Sequence, residues 1–374
     1  MQEDFHYYAT YCAAYLAGYT HEESEDICYC AQLVDLCSGT FLTKLNAPLS
    51  AATTQLQLEM MDARTDIIGL QNITRIWASF HFLPYDLYAQ KRGRTRIYMN
   101  KYRLICMPNS DLMVKTVELA KGKPIQAVGV AMHVLADTWA HSYFAGTPSL
   151  AINNTNWNFR EVITIEGEER EVPIKFRHNP SAKDDVANNL YTSSIFQNNE
   201  NSVMNLGHGR AGHLPDYSFM KYRYIPAWDD YKEITKDNPS DYLKAFAQMI
   251  YAMKYIRGDI STFGKDKYDT EAIEPYKDRI NAIIRKRQLI ASEDWKSFGE
   301  DLSGKKIRDF DLEIYQKEYI TNYKKEDTFL GKFIEAALAQ KGMVTYEIYT
   351  SKNYLAGFSK TISNGNSLLK TIFG

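Results

Sequence analysis

The order of apolar and polar positions predicts a chain built mainly of helices. From Asp4 to Leu16 apolar and aromatic residues fill most of the circumference, and the run stops at Gly18, the pattern of a buried helix with a glycine end. Thr20-His21-Glu22-Glu23 fits a capping box opening a helix to about Cys37, with Asp35 in its last turn. A carboxylate there opposes the helix dipole and calls for a surface cation or a metal. Residues 39–75 keep no period and read as loop or irregular structure. Trp77 to Pro84 sets His81 among apolar neighbours before a helix-breaking proline. Pro108-Asn109-Ser110-Asp111 opens a helix to about Lys121, and Pro124 starts another lasting to Gly146. Residues 160–178 alternate about a glycine turn as an exposed hairpin, read as an insertion with His178 on the surface at its exit. From about Arg285 onward the chain is charged and helical. The expectation is an all-α fold: a helical core over 1–284 carrying the hairpin, and an accessory helical region over 285–374.

Composition narrows the function. The 374 residues, 45% apolar and 24% charged, can bury a large core. Lys and Arg total 44 against 46 Asp and Glu, so no global field draws in nucleic acid or an anionic membrane, and nucleic acid enters only as a substrate. The first residues, Met1-Gln2-Glu3-Asp4, are polar and acidic, and no long apolar stretch follows, which gives a cytoplasmic expectation with neither signal peptide nor membrane span. Five cysteines without Cys-x-x-Cys spacing read as buried reduced thiols. The 27 tyrosines and 17 phenylalanines suit a lined cleft. The basic run Lys91-Arg92-Gly93-Arg94-Thr95-Arg96 reads as a solvated loop rather than a phosphate clamp. The end of the chain, from Asn353 to Gly374, is apolar and free of acids, so it packs back on the domain or touches a membrane or partner protein.

The helix after Pro124 is where chemistry concentrates. Between Pro124 and Phe159 the only charged side chain is Asp137, flanked at four-residue spacing by His133 and His141. These three project from one face, rising about 6 Å per step. A carboxylate in so apolar a helix is costly to ionise without a cation, and the helix has no Lys or Arg. A His-Asp-His hydrogen-bond network would satisfy it, and so would divalent ions, with Asp137 serving one ion beside His133 and another next to it. Further on, the glycine-rich stretch from Asn205 to Tyr217 carries His208, His213 and Asp216 and reads as a ligand loop.

In order and context these residues resemble the zinc-dependent phospholipase C and P1-type nuclease superfamily. His6, Asp35 and the His81-Phe82 pair match its early ligands, and Gly129-Val-Ala-Met-His133-Val-Leu-Ala-Asp137 fits its Gly-x-x-x-His-x-x-x-Asp helix position by position. His141, His213 and Asp216 match its later ligands, with His208 competing for the same role. The resemblance, over roughly residues 1–260, implies an all-helical fold with two or three Zn2+ ions at the bottom of a cleft, hydrolysing phosphate esters. On it, His133 and Asp137 bind one ion with Asp35 and His81, Asp137 bridges toward His6, and His141, His213 and Asp216 form a neighbouring site. Asp35 doubles as general base, and Asp35 and Asp137 are the catalytic residues. Two features depart from the superfamily: its N-terminal tryptophan amine ligates a metal where this chain has Met1, and the Asp137-x3-His141 spacing is shorter than its interval. Asp4-Phe5-His6-Tyr7-Tyr8 and the stretch from His133 to Gly146 are also similar to a family of uncharacterised bacterial proteins. Two other functions remain open on the residues alone: structural metal sites without catalysis, and an interaction module built on the C-terminal helices.

Overall fold

The structure, a computed structural model, describes residues 1–63, 67–155, 158–177, 182–193 and 206–353. The chain enters as a π-helical turn, Asp4–Ala9, continuous with α1 (Thr10–Leu16). The Thr20 hydroxyl accepts from the Glu23 amide while the Glu23 carboxylate accepts from the Thr20 amide, and this reciprocal cap starts α2 (His21–Leu33). Because α2 ends before Cys37, Asp35 lies in the turn beyond it. Residues 39–75 are largely helical rather than irregular: α3 (Gly39–Lys44) is capped by Ser38, and α4 (Gln57–Ala63) and α5 (Ile67–Phe80) follow. α4 buries none of its residues and so carries no apolar stripe for a sequence to show. The basic loop ends at the Thr95 cap of α6 (Arg96–Tyr102), and its Lys91 and Arg94 are both committed to Asp230. α7 (Asp111–Ala120) leads to α8 (Ile125–Ala140), which ends at His141 rather than running to Gly146. Every residue of α8 from Val128 to Ala140 is buried. A short helix, α9 (Leu150–Asn153), closes this half.

The fold is mixed, not all-α. β1 (Arg160–Ile165) and β2 (Glu168–Pro173) form the expected hairpin, but it is no isolated insertion. After β3 (Lys175–Arg177) and β4 (Leu190–Thr192), which pair in parallel, β5 (Lys221–Tyr224) and β6 (Ile234–Asp237) join it. The result is a four-stranded antiparallel sheet in the order β2-β1-β5-β6. Its strands alternate by the period of two. One face carries Arg160, Glu171 and Arg223 in ion pairs, while Tyr222 and Tyr224 join Phe82, Phe144 and Phe159 in a second hydrophobic core. β5 and β6 are four residues each, too short for periodicity to reveal.

The remaining helices are α10 (Asn238–Arg257), α11 (Thr270–Ile273), α12 (Lys277–Arg285), α13 (Ser292–Ser303), α14 (Gln316–Thr321) and α15 (Phe329–Thr350). Position 285 is not an edge of the core. Trp295, Phe298, Phe333 and Val344 belong to the same buried cluster as Val130 and Leu135 of α8, and α15 packs along α5 and α8. α13 is tied to the start of the chain, with the Asp4 carboxylate accepting from the Ala291 amide at 2.8 Å. His178, Asn205 and the apolar end beyond Asn353 lie outside the described residues. No helix among the described residues is long and apolar enough to cross a membrane.

Candidate metal centre

Three structural devices bring distant residues together beside α8. The π-helical turn aims His6 inward, where its ring stacks on His133 at 3.9 Å between centroids. α5 ends one residue before His81, and α2 delivers Asp35 from the turn at its end. The third device is the junction of the sheet with α10, where Asn238, just after β6, donates its amide to the carbonyls of Leu214, Pro215 and Tyr217, fixing the loop that carries His208 and Asp216. Lys236 of β6, buried, donates to the Trp139 carbonyl at 2.6 Å and so closes the end of α8 just before His141. Phe82 stacks on the His141 ring at 4.7 Å, walling it from the second core.

Asp137 is the hub. Its Oδ1 lies 3.1 Å from His6 Nε2 and 2.7 Å from the Met1 amine; its Oδ2 lies 3.1 Å from both His81 Nδ1 and His133 Nε2. Asp35 approaches the same nitrogens at 3.7 Å (His81), 3.9 Å (His133) and 3.9 Å (His6). Next to this group, Asp216 lies 3.1 Å from His141 Nε2 and 3.5 Å from His208 Nε2, and the Met1 amine, 3.2 Å from His141 Nε2, stands between the two groups. Two atoms bound to one zinc at about 2 Å stand roughly 3 to 3.5 Å apart in a tetrahedron, close to these separations. Three sets could hold an ion: His6, His133 and Asp137; Asp35, His81 and His133; and His141, His208 and Asp216. The structure thus gathers His208, whereas His213, with 60% of its side chain exposed, stays at the rim and hydrogen-bonds Asp216 through Nδ1 at 3.2 Å. Gly212 makes this possible: at φ +60° its carbonyl accepts from His208 Nδ1 at 2.7 Å, and a Cβ there would lie 2.1 Å from the Thr192 carbonyl oxygen.

The proton positions follow from the partners on the far side of each ring. His133 Nδ1 faces the Ala31 carbonyl at 2.8 Å, His81 Nε2 that of Thr53 at 3.0 Å, His141 Nδ1 that of His81 at 2.7 Å, and His208 Nδ1 that of Gly212. A carbonyl only accepts, so each of these nitrogens carries the hydrogen, and in the neutral ring the inward nitrogen is a bare lone pair. His133 Nε2 and His81 Nδ1 stand 3.2 Å apart in this state, lone pair to lone pair. Burial pushes His6, His133 and His208 down to about 4, so these three rings are neutral at neutral pH. Burial also opposes ionisation of Asp137, but His141, the Met1 amine, His133 and His6 together override it and hold the carboxyl well below the usual range. Asp216 behaves alike, with His208 and the amine outweighing burial. The Met1 amine, against its own burial, is raised to about 10 by Asp137, Asp216 and Asp35.

A family model described as a family of unknown function, DUF6765, matches residues 1–348. The chain belongs to that family. No curated protein and no solved structure matches the chain. The match runs through every residue of the centre and through most of α15, so in this DUF6765 chain the C-terminal helices and the His-Asp cluster fall within one family unit. Sequence reasoning reached Met1 only through the superfamily's N-terminal amine, as a departure, and it missed Lys236 and Asn238, whose residue types carry no signal of a supporting role.

The depressed histidines set a pH expectation for the DUF6765 protein freed of metal. Each binds its proton more weakly folded than unfolded, so its stabilising share is complete above about 6.5 and is lost as pH falls toward about 4. Circular dichroism of chelator-treated protein should show Tm falling steeply across that window, and a Tm flat from pH 7 to 4 would contradict the neutral, buried rings.

Proposed function

We propose that this protein is a metal-dependent phosphoesterase that uses two or three divalent ions, zinc by the nature of its donors, to hydrolyse a phosphodiester or phosphomonoester such as a phospholipid headgroup, a nucleotide or a nucleic acid. The observation that carries the reading is the convergence of the inward nitrogens of His81, His133, His141 and His208 on Asp137 and Asp216, each of these four rings backed by a backbone carbonyl. Nitrogen and carboxylate donors at these spacings suit zinc. Asp35, His81, His133 and Asp137 would hold one ion and His141, His208 and Asp216 another; His6 and Asp137, with His133, offer a third place. The order of these residues also supports the resemblance to the phospholipase C and P1 nuclease superfamily, with His208 in the role first given to His213.

Divalent ions in these places supply a water acidified toward neutrality and positive charge to offset that developing on a phosphoryl group. The chain contributes the rest. Asp35, with 29% of its side chain exposed where Asp137 has 1%, is the carboxylate that reaches solvent and accepts a proton from the attacking water. In the metal-free chain its carboxyl is raised by desolvation despite His6 and His81. Asp137 stays ionised and would be the carboxylate shared by neighbouring ions. Five buried unpaired thiols fit a reducing compartment such as the cytoplasm.

Elemental analysis of protein purified without added metal is expected to find two or three zinc-like ions per chain. Hydrolysis of bis(p-nitrophenyl) phosphate or p-nitrophenyl phosphate should vanish on chelation and return with zinc. A chain that carries no metal and takes none up is not this enzyme.

A further inference from the structure

His81 is held from behind by a backbone carbonyl, its Nε2 donating to Thr53 at 3.0 Å. Thr53 also clasps the turn that carries Asp35: its hydroxyl donates to the Val34 carbonyl at 2.7 Å and its amide to that of Cys37 at 2.9 Å. Two members of the Asp35, His81 and His133 set therefore take their bearings from one residue. The Ala52 carbonyl, next to it, accepts from Lys341 Nζ of α15 at 2.9 Å. The neighbouring Gln340, buried, donates to the Ser79 carbonyl at 3.1 Å, in the last turn of α5 before His81, and to the Thr116 hydroxyl at 3.0 Å. Packing alone would favour an apolar residue at 341, since burial pushes the ammonium down to about 8.

We infer that Gln340 and Lys341 are positioning residues for the Asp35 and His81 side of the metal centre, clipping α15 to the two backbone segments from which those ligands hang. The inference rests on the metal-centre reading above. Among the described residues neither one bonds to His141, His208 or Asp216, so the effect is confined to one part of the centre. The C-terminal helices thereby belong to the site although they supply no ligand.

Cobalt(II) titration of metal-free protein, followed by d–d absorption, tests this in the wild type, Lys341→Met and Lys341→Arg, each repeated in a His208→Ala background that disables the neighbouring set. Lys341→Met should weaken the ion at Asp35, His81, His133 and Asp137 by about 10- to 100-fold, the usual cost of losing an outer-layer partner, with the other ion unaffected. Lys341→Arg, which keeps a donor, should restore it. Gln340→Met serves as the second variant and should shift the same ion. Unchanged affinity in Lys341→Met and Gln340→Met overturns the inference while leaving the metal centre standing. Equal weakening at both sets in step with a lower Tm also overturns it, because that is general destabilisation. A wild type that takes up no cobalt overturns the metal-centre reading itself, and the clip with it.

Discussion

Asp137→Asn is expected to leave at most one ion per chain and to cut phosphoesterase activity by about a thousandfold or more. One carboxylate serves four partners: Oδ1 meets His6 and the Met1 amine, and Oδ2 meets His81 and His133. An amide of the same shape carries no charge and turns one of its positions into a donor, so it cannot bridge two cations. The chelated variant should also be less stable than chelated wild type, by about 3 kcal/mol, because the buried amine loses its closest counter-charge. Metal content and turnover measured on the same preparation decide the matter. A variant with the full complement of ions and near-normal turnover would falsify the hub role of Asp137.

The second large effect lies away from any ligand. Gly129→Val should destabilise the protein by about 3 kcal/mol or more and yield little soluble material. A Cβ at Gly129 would stand 2.5 Å from both the Cys30 Cβ and the Ile27 carbonyl oxygen, so α8 could not keep its approach to α2. The same approach lets His133 Nδ1 reach the Ala31 carbonyl, so a variant that folded would turn that ring and weaken its ion. Gly342→Ala is the opposite case: at this exposed position of α15 nothing stands within 4 Å of the added methyl, and a gain of about 0.5 to 1 kcal/mol is expected. Urea unfolding of both variants beside wild type checks the two signs together. A Gly129→Val protein as stable as wild type would mean that the helices do not cross as described.

How much of this is legible beforehand depends on residue type and element length. His133, Asp137 and His141 stand out because charge and imidazole interrupt an otherwise apolar helix, and helical spacing assigns them one face. The choice between His208 and His213 is beyond sequence: both sit among glycines, and the positive φ of Gly212, whose carbonyl holds the His208 ring, is set by the folded loop. The Met1 amine is backbone, so no residue pattern marks it, and only the superfamily's N-terminal amine drew attention to position 1. β5 and β6 hide because four residues cannot establish a period, and α4 because it buries nothing. Residues 285–353 look accessory since they hold no histidine, yet Gln340 and Lys341 act through carbonyls, which every residue has.

The candidate ligand positions 6, 35, 81, 133, 137, 141, 208 and 216 come from segments scattered over more than half the chain. An unfolded polypeptide with donors so dispersed is a poor chelator, and closing the long loops between them carries a large entropic penalty. Ions would therefore bind the native state almost exclusively, and their binding free energy would pass to folding nearly undiluted. On the metal-centre reading, metal supply would govern abundance as well as turnover, and scarcity would register first as chains lost to proteolysis.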